Sequence, residues 1–200
     1  MDGHIKPMAQ VSNRDKILSE GLKVVHARGY AGASVRDIVH AAGVPQGSFT
    51  NHFTSKEAFA LEVIEIYLDK GRAHMTATLL NGELPPLARL RAYVEGNKNR
   101  LNEHGMRNGC LFGNFTAEAS EHSDVIRNRL VEIFAEVQAN IVTCLEAAVA
   151  AGELPADFNC TDTAGFIVSS LQGANLLCKA QRSPAAHERF TQVLFSQVLR

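Results

Sequence analysis

Cysteine is scarce in this 200-residue chain: Cys110, Cys144, Cys160 and Cys178 are its four, and no C-x-x-C pair occurs among them. That spacing excludes a zinc ribbon and a disulfide framework, and it fits a reducing cytoplasm. The histidines His4, His26, His40, His52, His74, His104, His122 and His187 follow no ligand spacing, so no metal is expected. No nucleotide-binding glycine loop is present, and no cofactor is expected. Neither a charged-then-apolar leader nor an uninterrupted apolar run of spanning length appears, which leads to the expectation of a soluble, cytoplasmic chain with no membrane partner. Alternating strand patterns and hairpin turns are missing as well. Helical periodicity is what remains. The chain is read as all-α, with about nine helices, and its length suffices for a small domain joined to a larger one.

Residues 34–58, SVRDIVHAAGVPQGSFTNHFTSKEA, carry the most information. Ser34 can N-cap a helix whose N3 residue is Asp37 and whose apolar face is Val35, Ile38 and Val39. Gly43 permits the left-handed backbone of a sharp turn. Pro45 suits the first turn of the next helix, and Phe49 anchors that helix in the core. Gln46, Ser48, Thr50, Asn51 and His52 are then left facing outward, with no acid among them. Such short polar groups hydrogen-bond base edges or phosphates. Thr54 with Glu57 predicts a capping box for a third helix, so that Lys56 and the free amides beside it can meet a phosphate together. Two short helices about a glycine turn, followed by a capped third, form the layout of a DNA-reading helix-turn-helix.

Over residues 12–61 the segment resembles the DNA-binding domain of the TetR family of transcriptional regulators, whose pattern continues as G-x-x-Y-x-H-F-x-S-K-E. Here Gly47, Phe49, Asn51, His52, Phe53, Ser55, Lys56 and Glu57 follow it, and Thr50 stands where the family usually has Tyr. The resemblance implies an all-helical regulator that reads operator DNA as a dimer. It implies DNA-contacting roles for Ser34, Arg36, Gln46, Gly47, Ser48, Thr50, Asn51, His52 and Lys56. At Thr50 a short hydroxyl replaces the aromatic ring that in the family commonly meets the DNA backbone.

Charge is distributed to match. The formal net charge is −1, yet residues 1–56 hold seven Lys and Arg against four Asp and Glu, a surplus of +3, and the remainder holds thirteen against seventeen, a deficit of −4. The positive end is the reading end. So modest a surplus implies few phosphate contacts per subunit, with log affinity falling by about 0.9 per neutralised phosphate as log salt rises. The domains are accordingly drawn as 1–56, a terminal segment and helix-turn-helix, and 57–200, a helical effector-binding and dimerisation domain.

Outside the reading motif, Ser12 and Asp15 predict a box opening a first helix that ends at Gly29. Phe59, Val63, Tyr67, Gly71, Met75 and Leu79 predict a long helix to about Asn81. Leu87, Leu90, Val94 and Leu101 predict another, and a short glycine-interrupted segment spans 108–120. Ile126, Leu130, Phe134, Val137, Ile141 and Leu145 mark the longest helix, over about 123–151. Two more follow, over about 161–181 and 183–199, the last with Ser183 as N-cap and Pro184 at N1. These two are apolar on more than one side, through Phe166, Ile167, Val168, Leu171, Leu176, Leu177, Phe190, Val193, Leu194, Phe195, Val198 and Leu199. A helix with two apolar faces needs two partners. One arrangement pairs them with a second copy, Gly173 and Ala174 permitting close approach; the other is a bundle core within a monomer. Dimerisation would set the two reading helices roughly 34 Å apart, over a near-palindromic site.

A regulator of this kind couples an effector site to the reading heads. Tyr67, Met75, Tyr93, Asn97, Phe112, Asn114, Phe115, Gln172 and Asn175 offer the apolar walls and sparse amides of a small-molecule pocket, or ordinary core. Cys110 is sharper. Gly109-Cys110-Leu111-Phe112-Gly113-Asn114, followed by Glu118, resembles a TetR subgroup that includes the repressor of N-ethylmaleimide reductase, which implies a cysteine that senses electrophiles or oxidants. Arg107, His104 and a helix start at this point favour a reactive thiolate, while a small buried hydrophobe is the structural alternative. Two other functions stay open: a helical adaptor that uses the N-terminal domain on protein, and an enzyme using Cys110 with His104, for which no orienting group or oxyanion loop is evident, so that no catalytic residue is assigned.

Overall fold

The structure, a computed structural model, describes residues 12–200. Those residues form nine α-helices, one π-helical turn and no strand. In order they are α1 (Asn13–Arg28), α2 (Val35–Ala41), α3 (Gly47–His52), α4 (Lys56–Ala77), α5 (Pro86–Asn102), α6 (Leu111–Ala119), α7 (Asp124–Ala150), α8 (Cys160–Gln181) and α9 (Ala185–Val193), with the π turn over Leu194–Val198. Contacts divide the chain into two compact units that meet at Val63 and Ile64, inside α4. The expected boundary at 56/57 falls where α4 begins.

In the N-terminal unit the caps decide where helices start. The Ser34 hydroxyl accepts the Asp37 amide at 3.1 Å, and Asp37 Oδ2 accepts the Ser34 amide at 3.0 Å, closing the box. Ser12 accepts the Asp15 amide, but the return bond to Asp15 comes from its hydroxyl. Gly29 and Gly43 take the left-handed φ values their turns need, 80° and 64°. α1 packs on α2 and α3 around Ile17, Val25, Ile38 and Phe49. Phe49, Phe53 and Phe59 form a triangle of rings with centroids 5.2 to 5.5 Å apart. Gly21 makes this packing possible, because a Cβ there would stand 2.5 Å from the Phe59 ring and 2.9 Å from Ile38. One expectation fails at the third start: Ser55, not Thr54, caps α4, its hydroxyl accepting the Ala58 amide at 3.0 Å. Phe53 is extended and buried, so the chain enters the helix one residue later than the Thr54–Glu57 spacing suggests.

The larger unit wraps α5, α6 and α8 around α7, with α9 against α8. Ile126, Leu130, Ile133, Ile141, Leu145 and Ala148 of α7 are buried. By length and mean composition α7 is the one described helix apolar enough to cross a bilayer, but Glu136, Gln138, Asn140 and Glu146 interrupt it. Two bidentate ion pairs join it to the second half of α4, Arg129 with Glu65 at 2.6 and 2.9 Å and Arg72 with Glu136 at 2.7 Å twice. Solvent screens exposed pairs of this type, so they contribute little to stability. The last helix departs from expectation: α9 starts at Ala185 with Pro184 as its cap residue and gives way after Val193 to the π turn. Arg182, left-handed at φ 52°, sets the corner that places Ser183 outside the helix. Ala174 is buried within its own unit while Gly173 is exposed, so only the glycine can serve a close approach from outside.

Candidate nucleic-acid interface and effector region

The α2–turn–α3 segment presents one polar surface. Gln46, Gly47, Thr50, Asn51 and His52 are exposed and Ser48 is half-buried, while Phe49 points inward. No Asp or Glu lies between Asp37 and Glu57. Gln46 occupies the N-cap position of α3 without a side-chain capping bond, so its amide is not committed to its own helix. An added Cβ at Gly47 would meet nothing within 4 Å. Thr50 is different, since its hydroxyl donates to the Gly47 carbonyl at 3.1 Å and keeps only acceptor capacity for an outside partner. At the start of α2, Ser34 is committed to its box, and Arg36 stands exposed beside it. The Asp37 carboxyl is held below the usual carboxylate range by the Ser34 hydroxyl and amide and then by Arg28, 2.8 Å away, so this lone acid is neutralised inside the motif.

Lys56 is tied down more than its sequence position suggests. Its ammonium donates to the Tyr30 carbonyl at 2.6 Å and sits 4.5 Å from the centre of the Tyr30 ring. The bond joins the α1–α2 turn to the start of α4. Twenty-six residues separate the pair, and no local pattern signals it. Tyr30 is thus a residue that the sequence reading missed.

In the larger unit Met75, Tyr93, Phe112, Phe115 and Asn175 of the expected effector residues are buried. Met75 and Phe115 lie in the core, 3 % and 1 % exposed. Tyr67, Tyr93, Asn97, Cys110 and Phe112 come together. Tyr67 and Phe112 stack edge to face at 4.9 Å. Asn97 donates to the Tyr93 carbonyl at 2.9 Å and accepts from Arg100 at 2.6 Å, and the His74 ring stacks on Tyr93 at 5.3 Å. Burial pushes the Tyr67 and Tyr93 hydroxyls up; the Cys110 sulfur adds to the rise at both, and Arg100 works against it. Cys110 is partly exposed and stands at the N-cap of α6, the helix start expected for it. From α8, Gln172 Oε1 would lie 3.1 Å from a Cβ on Gly113, and Lys179 donates to Asn114 at 2.9 Å. Asn175, on the same face, is buried with its carbonyl oxygen unpartnered. Cys144 and Cys178 are buried; the Cys144 thiol is pushed up to about 11 by burial and donates to the Pro86 carbonyl. Among the described residues no group of three His, Cys, Asp or Glu side chains is arranged to hold a metal.

Comparison with known proteins identifies the family. The family model described as "Bacterial regulatory proteins, tetR family" matches residues 17–63, and "Tetracyclin repressor-like, C-terminal domain" matches residues 86–194. The chain belongs to the tetR family. It is a DNA-binding transcriptional regulator, and proteins of this family bind operator DNA and act as dimers. The HTH-type transcriptional repressor DhaR of Mycobacterium sp. (strain GP1) is 35% identical over 96% of this chain and 95% of its own length. The regulatory protein TetR from Rhodobacter sphaeroides superposes with a TM-score of 0.86 at 31% identity, over 90% of this chain and 96% of that one. The reduced form of Escherichia coli NemR, an HTH-type transcriptional repressor, superposes at 0.81 with 28% identity over 90% and 93%. These tetR-family relatives are regulators, which answers the enzyme alternative.

Proposed function

We propose that this tetR-family chain is a cytoplasmic homodimeric repressor, comprising a reading domain (1–56) and an effector and dimerisation domain (57–200), that leaves its operator when a small or reactive molecule binds. The observation that carries DNA reading is the polar row of exposed Gln46, Thr50, Asn51 and His52 with half-buried Ser48, free of acids and backed by the Phe49 anchor. Gln46 and Asn51 read base edges, since amide side chains match adenine bidentately. Ser34, Arg36, Gly47 and His52 approach the sugar-phosphate backbone, joined by Lys56 where Tyr30 holds it. Thr50, its hydroxyl turned to Gly47, accepts from a base or a bridging water.

Dimerisation is assigned to the outer side of α8 with α9. Phe166, Leu176 and Leu177 are 47 %, 67 % and 48 % exposed, and Val193 follows on α9. Fully burying such side chains contributes about 1.5–3 kcal/mol each, so a bare stripe of them calls for a partner surface. The effector region is assigned to Tyr67, Tyr93, Asn97, Cys110, Phe112, Asn114, Gln172 and Asn175, with Met75 and Phe115 as its backing. Cys110, partly exposed beside two tyrosines, serves as the sensing thiol. Replacing it by Ser should leave operator binding intact and abolish release by quinones, aldehydes or hypochlorite; unchanged release would remove Cys110 from the account. The regulatory reading is tested by a nuclease footprint of the purified protein on the DNA beside its own gene. Protection of a near-palindromic stretch is expected, and no protection would favour the adaptor reading instead.

A further inference from the structure

Among the described residues not every half-buried cation stands in an ion pair. Arg14, Lys23, Arg28, Arg72, Lys98, Arg127 and Arg129 each face a carboxylate within 4 Å, although most of them are exposed and need one least. Arg100 is half-buried and faces none among the described residues. Its one hydrogen bond to a side chain goes to a neutral acceptor, Asn97 Oδ1, at 2.6 Å. A guanidinium partly withdrawn from water without a counter-charge loses hydration, and one amide oxygen meets few of its five donors. Lys179 repeats the pattern on α8: it is half-buried, and its ammonium rests on the neutral Asn114 Oδ1.

Around these cations the groups are donors and orphans. The phenols of Tyr67 and Tyr93 stay protonated, because burial holds them well above neutrality, and so they can donate. Asn175 Oδ1 is buried without a partner; with the amide turned over, the same position presents donors. Its neighbours one helical turn away on either side are Gln172, beside Gly113, and Lys179, beside Gly109 and Asn114. Phe112 supplies the apolar wall with Tyr67.

We propose that the effector region takes a small organic carboxylate, with Arg100 as its principal partner and Lys179 as the second cation. This rests on the reading that the chain answers to an effector, and it specifies that effector's charge. A planar carboxylate fits a guanidinium fork, and the bond is charge-assisted. Binding draws Arg100 away from Asn97, whose other amide bond holds the Tyr93 carbonyl.

The test pairs each acid with its own uncharged counterpart. Propanoate, butanoate and benzoate are titrated into the purified full chain by calorimetry at fixed ionic strength, beside propanamide, butanamide and benzamide. At least one carboxylate should bind with Kd of roughly 1 mM or tighter while its amide does not. Arg100→Met should weaken that carboxylate about tenfold or more, and Arg100→Lys should restore part of the loss. Circular dichroism checks that each variant is folded, so that a collapsed Arg100→Met chain leaves the wild-type acid-to-amide contrast and Arg100→Lys as the deciding results. Equal binding of acids and amides, full carboxylate selectivity in Arg100→Met, or no carboxylate binding would each overturn the proposal. Operator protection measured in the same samples before any ligand is added reports separately on the regulatory reading: absent protection defeats that reading, and intact protection with no preference for acids defeats this one alone.

Discussion

The surface of α3 and the outer side of α8 are both left bare by the fold, but they are bare in opposite ways. On α3 the exposed groups are Gln46, Thr50, Asn51 and His52, polar side chains around a single buried anchor, Phe49. On α8 they include Phe166, Gly173, Leu176 and Leu177, a mostly apolar stripe with Ser169 in it, over a core of Ile167, Leu171 and Cys178. A polar row that water already satisfies gains by exchanging water for another polar surface, which gives specificity and modest affinity. An apolar row gains by leaving water altogether, which suits a partner that stays. Under the proposed assignments, one helix then suits a target that must be released and the other a subunit that must not.

The comparison can be broken first at its apolar side. Leu176→Asp with Leu177→Asp puts two charges into the assigned subunit interface and should raise the dimer dissociation constant by about 100-fold or more. At the polar side, Asn51→Ala or Gln46→Ala should remove about 1–3 kcal/mol of discrimination at one base pair while leaving affinity for random DNA nearly unchanged, read by anisotropy on a set of single-base operator variants. Lys56→Ala should weaken all sequences evenly and lower the salt slope by about 0.9. Tyr30→Leu should give a smaller version of the same loss, because it removes the ring beneath the ammonium while the bond to the backbone carbonyl of residue 30 stays.

Smaller effects separate fold from function. Burial holds His187 of α9 down to about 4, helped by Lys98 and opposed by Glu95, both on α5. Above its ordinary value of 6.5 the ring is neutral whether the chain is folded or not; as pH falls toward 4 only the unfolded chain takes up the proton. Stability should therefore decline over that window by at most about 1.4 kcal/mol per pH unit, and His187→Leu should flatten the slope in a denaturant series. Ser34→Ala should cost about 1 kcal/mol of stability in the N-terminal unit. The Asp37 contribution at the same cap is present above the ordinary carboxylate value of 3.8 and fades as pH falls through its lower folded value.

Local chemistry is legible in the sequence where one residue type has one use. Ser34 and Gly43 are of this kind, as are the stripe of α7 and the inward Phe49. Adjacent equivalents are not: Thr54 and Ser55 are both competent caps, and the extended Phe53 chooses between them. Likewise one residue of helix turns the chain by about 100°, which sends Ala174 inward and Gly173 outward. The π turn after Val193 has no compositional mark. Contacts between distant segments are out of reach, among them Lys56 on Tyr30 and Gln172 beside Gly113. The candidate effector residues are recognisable as types, but spacing alone does not separate Met75 and Phe115 from core.

The contrast between the two bare helices is tested most directly by sedimentation velocity of the Leu176→Asp, Leu177→Asp chain, alone and mixed with operator DNA. The account predicts a monomer alone and no discrete two-subunit complex on the operator. A chain that still sediments as a dimer and still loads two copies on the operator would contradict it.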